Sequence, residues 1–340
     1  TGILVDMKRT LPTKEFFVKF YGRRFLRIFP LYYSYLFLIL ALGLILANFG
    51  FLVKKTELLL SIYPYALTYV YNFYSITTQE LLPVTNHLWS LSVEEQFYIV
   101  WPLLIFLVPE KHYKYLFGSA ILFGPVFRVV YTLAFNAGYL PFVTEGLSRS
   151  AFVLPFTHMD AFGLGALISQ YKIPNSSRKL ALLSLLVPAI GYGYNFIVVG
   201  NVGEIGSLGY PYLMENGYQF LWGYSVVNYW SAVLIDAIAK EGLFLRFLNW
   251  RPFVYLGKIS YGMYVYHLGI IWIIYRVLDK TVAEPNAWII ALASIIDFGL
   301  AFIFASISYR YLEMPILNLK NKYFRLPGEE MPPRAVPRST

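Results

Sequence analysis

Cysteine is absent from this chain of 340 residues, and charged side chains make up only 14% of it. Without cysteine the protein has no disulfide, no thiolate nucleophile and no thiolate-held metal. The four histidines are scattered, and the sequence contains no His-Glu-x-x-His pair, glycine-rich phosphate loop or Gly-x-Ser-x-Gly elbow. These absences exclude the common zinc hydrolases, P-loop enzymes and serine hydrolases, and we expect no metal.

Apolar and aromatic residues dominate the sequence instead. Hydrophobic residues account for 58% of the chain, which includes 30 tyrosines and 28 phenylalanines. A soluble domain carries roughly a quarter charged residues, so this composition predicts an integral membrane protein. The net charge of +9 is distributed between apolar segments, which favours basic cytoplasmic loops over nucleic-acid binding.

Nine apolar segments approach the roughly 20 residues that a helix needs to cross a bilayer. They lie at residues 28–48, 58–75, 88–108, 113–135, 152–170, 180–199, 219–239, 253–278 and 287–309. We therefore expect an all-α, polytopic transmembrane helix bundle with eight or nine membrane segments, in a single domain over residues 1–325. Residues 326–340 are rich in proline and charge, and they are predicted to form a disordered tail.

The loop charges predict the orientation of the chain. Basic residues cluster before residue 28 and again at 320–325, so both ends of the bundle are expected in the cytoplasm. Two cytoplasmic ends require an even number of crossings, whereas hydropathy offers nine. Segment 58–75 is short and contains Pro64, so we expect it to lie in the interface or to re-enter the membrane.

The run Asn86-His-Leu-Trp-Ser-Leu-Ser-Val-Glu-Glu-Gln-Phe-Tyr-Ile-Val-Trp-Pro102 places two carboxylates at the mouth of a membrane segment. Ionisable groups at membrane depth are costly and usually mark a functional site. Neighbouring residues on a helix point about 100 degrees apart, so Glu94 and Glu95 cannot share one face. The alternative is a pair of helix N-terminal carboxylates favoured by the helix dipole, with Ser90 or Ser92 as the cap.

Arg24 and Arg27 precede a helix that enters the membrane at Ile28-Phe-Pro30. Three-residue spacing places both guanidinium groups on one helical side, where they could bind the phosphates of a cytosolic cofactor. Basic residues at a helix end also anchor helices and bind anionic lipid, and the residues alone favour that explanation.

A second polar motif is Phe156-Thr-His-Met-Asp-Ala-Phe-Gly-Leu-Gly165, with His158 and Asp160 ahead of two glycines. Gly163 and Gly165 would permit close approach of another helix or of a ligand. The alternative for Asp160 is a buried structural carboxylate paired with a neighbouring arginine or lysine.

Two further motifs lie near the C-terminal end. Ser260, Tyr261 and His267 belong to the segment Leu256–Gly269, where they could equally be packing residues or hydrogen-bond partners between helices. Glu313 precedes Met-Pro315, and we expect it to be structural, pairing with Arg310 or with a basic loop.

Five of these features occur in the order typical of the membrane-bound acyltransferase 3 family, which the chain resembles over nearly its whole length. They are Arg-x-x-Arg before Ile-Phe-Pro, Trp-Ser-Leu-Ser-Val-Glu, Asp-x-x-Gly, Gly-Lys-x-Ser-Tyr and Glu-x-Pro. The resemblance implies transfer of an acyl group, usually acetyl, from acyl-CoA to a hydroxyl of a cell-surface or lipid-linked carbohydrate. It also implies a multi-pass protein of the bacterial cytoplasmic membrane, in contact with membrane lipid.

The resemblance assigns roles to particular residues. Arg24 and Arg27 would bind acyl-CoA, whereas Glu94 and Asp160 would take part in catalysis near the acceptor. The supporting residues would be His87, Ser92, Glu95, His158, Ser260, Tyr261, His267 and Glu313.

One departure from the family concerns its first two helices. The family begins with a helix bearing an arginine and a catalytic histidine, and a second helix follows. This chain opens at Thr1-Gly-Ile-Leu4, which resembles the end of that second helix. We therefore expect the base upstream of residue 1, do not expect His87 to replace it, and expect this stretch alone to be inactive.

Two other classes of function fit the polar residues inside the membrane. A transporter or channel for a small polar or anionic solute would explain them, together with the helices broken by glycine and proline. Its sign would be a repeat relating two halves of the chain, and we find none. A non-catalytic scaffold or sensor with the same fold is the third possibility.

Overall fold

The computed structural model describes residues 1–78, 80–282 and 286–327, and every regular element in these ranges is helical. The predicted all-α class is therefore confirmed. The α-helices are α1 (Gly2–Thr10), α2 (Thr13–Asn48), α3 (Val53–Leu67), α4 (Tyr71–Tyr74), α5 (Leu88–Leu107), α6 (Tyr113–Asn136), α7 (Leu147–Val153), α8 (Met159–Gln170), α9 (Ser176–Val199), α10 (Phe220–Glu241), α11 (Leu245–Leu248), α12 (Arg251–Thr281), α13 (Ala287–Ser308) and α14 (Met314–Tyr323). Residues 328–340, most of the predicted tail, lie outside the described residues.

Several helices are long and apolar enough to cross a membrane. In the described ranges, five stretches qualify by length and composition: Thr13–Asn48, Leu88–Leu107, Glu110–Asn136, Ser176–Val199 and Ala287–Lys320. A sixth is the pair Leu147–Val153 and Pro155–Gln170, which is bent by 74°. The chain is a multi-pass membrane protein. The predicted count of eight or nine segments is not reached, because α10 and α12 cover two predicted segments but are not among these candidates.

Segment 58–75 does not form a long helix. Helix α3 has 15 residues and contains Pro64, so at 1.5 Å per residue it spans about 22 Å, less than the roughly 30 Å hydrocarbon core. After a turn the chain continues into the single-turn helix α4. This geometry supports the prediction that the segment does not cross the bilayer.

The chain divides into two compact units, each assembled from discontinuous stretches. Unit 1 comprises Thr1–Gly2, Pro64–Leu81 and Leu88–Val254. Its helices α6 and α8 pack closely at Gly163, where an added Cβ would lie 2.8 Å from the Ile121 backbone nitrogen and 2.9 Å from the Phe117 carbonyl oxygen. The predicted close approach at Gly163 is confirmed. At Gly165 an added Cβ would meet nothing within 4 Å, so that glycine faces open space.

Unit 2 comprises Ile3–Tyr63, Leu82–His87 and Tyr255–Thr340. Helices α2, α12 and α13 supply its long apolar elements. Near the start of α2, the Arg23 guanidinium donates a hydrogen bond to the Phe324 carbonyl oxygen at 3.1 Å, and the Phe324 ring lies against Gly22. This contact fixes the end of α14 to the arginine-bearing part of α2.

Candidate functional site

A pair of histidines lies at the centre of the polar residues in unit 2. The ring centroids of His87 and His267 are 5.3 Å apart. The His87 Nε2 atom lies 3.0 Å from the Val265 carbonyl oxygen, and the His267 Nδ1 atom lies 2.6 Å from that of Tyr264. A carbonyl oxygen can only accept, so each of these nitrogens carries the ring hydrogen. In the neutral rings, Nδ1 of His87 and Nε2 of His267 are therefore the acceptor nitrogens.

Burial keeps His87 neutral. Only 5% of this residue is exposed, and burial, followed by the nearby His267 ring, lowers the pKa of His87 to about 3. The Tyr264 hydroxyl donates to the His87 carbonyl oxygen at 3.1 Å, which fixes the backbone just before α5 begins. At neutral pH this histidine can accept a hydrogen bond but does not carry a positive charge.

Sequence reasoning missed two residues beside the histidines. Tyr35 packs against His87 with ring centroids 5.8 Å apart and donates its hydroxyl to the Val84 carbonyl oxygen at 2.7 Å. Asp297, in the middle of the apolar helix α13, interacts electrostatically with His267. The signal for Asp297 was present, because a lone carboxylate inside an apolar segment marks a functional site by default.

Glu313 lies in a π-helical turn, Tyr309–Glu313, between α13 and α14. Such turns inside helices are frequent at functional sites. The Glu313 carboxylate is 6% exposed and accepts a hydrogen bond from the Ser308 hydroxyl at 3.3 Å. Ser308 also shares a hydrogen bond with Tyr266, and the exposed Arg27 lies within electrostatic range of Glu313.

Of the two expected partners of Glu313, Arg310 and a basic loop, Arg310 forms no ion pair with it among the described residues. The Arg310 guanidinium lies instead over the Tyr311 ring, 5.5 Å from its centroid. Opposite Glu313, an added Cβ on Gly262 would lie 3.1 Å from the Ala305 Cβ atom and 3.4 Å from the Glu313 carboxylate. A glycine at this position therefore allows α12 to approach both α13 and the carboxylate.

These contacts link the two polar groups in unit 2 into one series. The Tyr266 and Tyr35 rings connect them, with centroids 6.0 Å apart. We call the whole series the polar column. It comprises Arg27, Glu313, Ser308, Tyr266, Tyr35, His87, His267 and Asp297.

The other predicted residues of unit 2 lie around the Arg27 end of the polar column. The Arg24 guanidinium lies over the Phe20 ring at 5.6 Å. The Tyr261 hydroxyl donates to the Ile28 carbonyl oxygen at 3.0 Å, joining α12 to α2 beside Arg27. The exposed Ser260 donates to the Gly257 carbonyl oxygen, within its own helix.

In unit 1 the two adjacent glutamates point in different directions, as predicted. Glu95 is buried at 7% exposure, whereas Glu94 is exposed. The alternative of a capped helix start is wrong, because α5 begins at Leu88 and places both glutamates beyond the first turn. The Ser92 hydroxyl donates to the Leu88 carbonyl oxygen at 3.1 Å and is not a cap.

Gln96, next to the glutamates, has a partner that the sequence did not reveal. Its side-chain nitrogen donates to the Asn72 side-chain oxygen and to the Tyr69 carbonyl oxygen, both at 2.8 Å. Asn72 is fully buried and also approaches the Val153 carbonyl oxygen. These amide contacts fix the short α4 segment against α5 and α7.

Asp160 is held by Arg128, which is fully buried in the middle of α6. An Arg128 terminal nitrogen lies 3.0 Å from Asp160 Oδ2, and the same oxygen accepts from the Ser225 hydroxyl. The other oxygen accepts from the Asn228 amide at 3.2 Å and from the Ala161 backbone at 3.0 Å. Arg128 lies on α6, Ala161 on α8, and Ser225 and Asn228 on α10, so the Asp160 carboxylate joins these three helices. This is the structural alternative considered for Asp160.

His158 occupies an aromatic pocket of unit 1. Its Nε2 atom lies 2.6 Å from the Phe152 carbonyl oxygen, and the rings of Trp89 and Tyr224 lie 6.4 Å and 5.7 Å away. This environment is typical of a hydrogen-bonded packing residue. Across the described ranges, no group of three or more metal-ligating side chains occurs.

Comparison with known proteins gives one family. The family model described as "Acyltransferase domain", of the acyltransferase 3 type, matches residues 10–306. Among curated proteins, a peptidoglycan O-acetyltransferase of Listeria monocytogenes is 27% identical over 248 residues, covering 69% of this chain and 35% of that protein.

Two staphylococcal proteins match over more of the chain. An O-acetyltransferase of Staphylococcus aureus strain NCTC 8325 is 25% identical over 324 residues, covering 90% of this chain and 48% of its own length. A second, named putative O-acetyltransferase in S. aureus strain MRSA252, is 23% identical over 337 residues, covering 89% and 49%. The chain thus spans about half the length, or less, of these curated relatives. No solved structure matches it.

Proposed function

Because this chain belongs to the acyltransferase 3 family, we propose that it is the membrane-embedded part of an O-acyltransferase acting on a cell-envelope carbohydrate. The acyl donor is acyl-CoA, with acetyl as the acyl group. The acceptor is a hydroxyl of a glycan, and the name of the listerial relative supports a peptidoglycan-type sugar. The membrane is the bacterial cytoplasmic membrane, with the basic ends of the chain inside.

The polar column of unit 2 is the observation that carries this proposal. Acyl transfer to a hydroxyl requires a site for an anionic donor and groups that accept and position a proton. The column begins with a cation, Arg27, and ends with two histidines and Asp297. Glu313 and two tyrosines are among the residues between these ends. A bundle that only packed against lipid would have no need of so many polar side chains in one series.

The arginine end suits the donor. Arg27 is exposed, and Arg24 precedes it by about one helical turn. A planar guanidinium group can donate two parallel hydrogen bonds to phosphate oxygens. CoA carries phosphates on its nucleotide end, so binding there would direct its thioester away from the arginines. Glu313 would limit how firmly Arg27 holds an anion, since the two charges attract each other.

The histidine end suits the acceptor. His87 and His267 would form the polar wall of the transfer site, each with one acceptor nitrogen in its neutral form. Asp297 would hold a positive charge that develops on His267. The exposed carboxylate of Glu94, in unit 1, has the chemistry to contact an acceptor hydroxyl, whereas Asp160 would hold α6, α8 and α10 of that unit together.

Labelled acyl transfer tests the proposal. Membranes containing the full-length gene product are incubated with radiolabelled acetyl-CoA and cell-wall glycan, and glycan-bound label is counted. Arg27→Ala is expected to raise KM for acetyl-CoA about 10–100-fold, which corresponds to one lost charged hydrogen-bonding group. Arg27→Lys should recover part of that loss, and Lys14→Ala, an exposed lysine of the same helix, should change nothing.

A second variant tests the other end of the polar column. His267→Gln should lower kcat and leave KM for acetyl-CoA close to that of the wild type. If KM for acetyl-CoA did not change in Arg27→Ala, the proposed role of Arg27 in donor binding would be wrong. The transporter alternative would be favoured if the wild-type protein transferred no acyl group and vesicles containing it passed a small solute.

A further inference from the structure

Unit 2 contains a cavity of about 600 Å³, and Tyr35 and Tyr266 of the polar column are among the residues that line it. Its walls come from α2, α3, α12 and α13 and from the segment before α5. The lining is almost entirely aliphatic and aromatic, with Leu42, Leu46, Leu59, Ile270 and Phe304 as examples. Leu42 and Leu46 are also exposed, so the cavity continues onto the outer surface of α2.

Positive charge is concentrated at one part of this cavity. Lys55 and Trp272 both line it, and the Lys55 ammonium lies 5.1 Å from the centroid of the Trp272 ring. The Arg276 guanidinium lies 5.7 Å from the same ring. In the part of the chain that the structure describes, neither cation is within salt-bridge distance of a carboxylate, and no carboxylate lines the cavity.

The two cations also disfavour each other. Partial burial lowers the pKa of Lys55, and the neighbouring Arg276 charge lowers it further. An anion bound between them would relieve both effects. The walls beyond the cations offer only apolar contact, so the complementary ligand has one anionic group and a long hydrocarbon part.

We propose that this cavity binds an anionic phospholipid taken from the bilayer, with its phosphate between Lys55 and Arg276 and an acyl chain along Leu42 and Leu46. A volume near 600 Å³ lies within the usual range for small-molecule pockets. Basic pockets between membrane helices are known to bind lipid head groups. The opening on α2 faces the apolar surface from which such a lipid would enter. The lipid would lie beside Tyr35 and Tyr266 of the polar column, and the tests below measure lipid binding separately from acyl transfer.

Native mass spectrometry of the full-length gene product in detergent tests the head-group contact. The probes are phosphatidylglycerol and phosphatidylcholine with identical acyl chains. Phosphatidylglycerol adducts should exceed phosphatidylcholine adducts, and Lys55→Gln and Arg276→Gln should each weaken phosphatidylglycerol binding about fivefold. Lys54→Gln is the matched control, because Lys54 is the exposed neighbour of Lys55 and does not line the cavity.

Fluorescence quenching tests the chain contact without a change in charge. In proteoliposomes, phosphatidylglycerol brominated on its acyl chains should quench tryptophan emission, and Trp272→Phe should remove the site-specific part of that quenching. Leu42→Trp, which fills the cavity, should lower phosphatidylglycerol binding in mass spectra. If the Leu42→Trp variant does not fold, the quenching experiment still tests the proposal, because it does not use that variant.

Three results would overturn the proposal. Equal retention of the two phospholipids would show that the cations do not select a head group. If Lys54→Gln weakened phosphatidylglycerol binding as much as Lys55→Gln, the preference for phosphatidylglycerol would be due to general surface charge. Emission from Trp272 that brominated lipid does not quench would show that the cavity is covered by protein in the full-length product.

Discussion

His87 and His267 present their imidazole rings to each other nearly at right angles, with centroids 5.3 Å apart and an interplanar angle of 70°. Both rings are anchored to backbone carbonyl groups of α12, although His87 precedes α5 in the sequence. The two hydrogen bonds therefore fix the orientation of both rings relative to α12. The anchoring also fixes the tautomer of each ring in its neutral form.

Stability should decrease in acid because of His87. Its pKa is about 3 in the folded protein, against an ordinary value of 6.5. The unfolded chain therefore binds the extra proton between these two pH values, and stability falls as the pH is lowered from about 6.5 towards 3. Above pH 6.5 the effect is absent. We expect a contribution on the order of a few kcal/mol across that window.

His87→Asn isolates this contribution, because asparagine keeps a donor for the Val265 carbonyl oxygen but does not titrate. Thermal unfolding midpoints measured in detergent between pH 7.5 and pH 4 should fall more steeply for the wild type than for the variant. Parallel curves for the two proteins would show that His87 accepts a proton without opening the structure.

Asp160→Asn should destabilise unit 1. The substitution removes the charge that compensates the fully buried Arg128, and breaking a buried pair from one side costs about 3–5 kcal/mol. Asp160→Leu combined with Arg128→Met should cost less than the sum of the single changes. Unfolding midpoints measure both effects, with the exposed Asp6→Asn as control. A stable Asp160→Asn protein with lost kcat would make Asp160 catalytic after all.

Two neighbouring glycines should respond differently to alanine. At Gly163 the added methyl group would press on the backbone of Ile121 and Phe117, at 2.8–2.9 Å, and overpacking of this kind costs about 1–3 kcal/mol. At Gly165 nothing lies within 4 Å, so Gly165→Ala should leave stability unchanged or raise it by up to about 1 kcal/mol through helix propensity. Unfolding midpoints of the two variants provide the comparison. Equal losses would contradict the close α6–α8 packing.

The two glutamates of α5 should separate activity from folding. Glu94 is exposed, so Glu94→Gln should preserve expression and the unfolding midpoint while lowering kcat, by about 100-fold or more if the carboxylate handles a proton. Glu95 is buried, so Glu95→Gln should mainly shift the unfolding midpoint. Glycan-bound label and thermal unfolding are measured on the same preparations. The reverse pattern would move the functional role to Glu95.

Apolar periodicity was sufficient to predict most of the membrane helices, because hydropathy directly reflects burial in lipid. It did not predict that α2 begins at Thr13, fifteen residues before the apolar segment, since the amphipathic start of that helix carries many charges. Neither Arg128 nor Asp297 was singled out from the sequence, although each is a charged residue within an otherwise apolar segment. Each proved to be part of a polar cluster, which only the tertiary fold could assemble.

The partners of the polar residues in the motifs could not be predicted for the same reason. Glu313 was expected to pair with Arg310 or with a basic loop. In the structure its carboxylate accepts a hydrogen bond from Ser308, and Arg27, which is distant in the sequence, lies within electrostatic range. Family resemblance named the candidate site residues, whose roles stay a prediction, whereas the distances among them came from the structure.

The contacts of Phe324 with Gly22 and with the Arg23 side chain have a practical consequence for anyone labelling this protein. A reporter or affinity handle joined directly behind α14 would emerge beside Arg24 and Arg27. Fluorescent fusions at that junction would crowd the very arginines whose occupancy they were meant to follow.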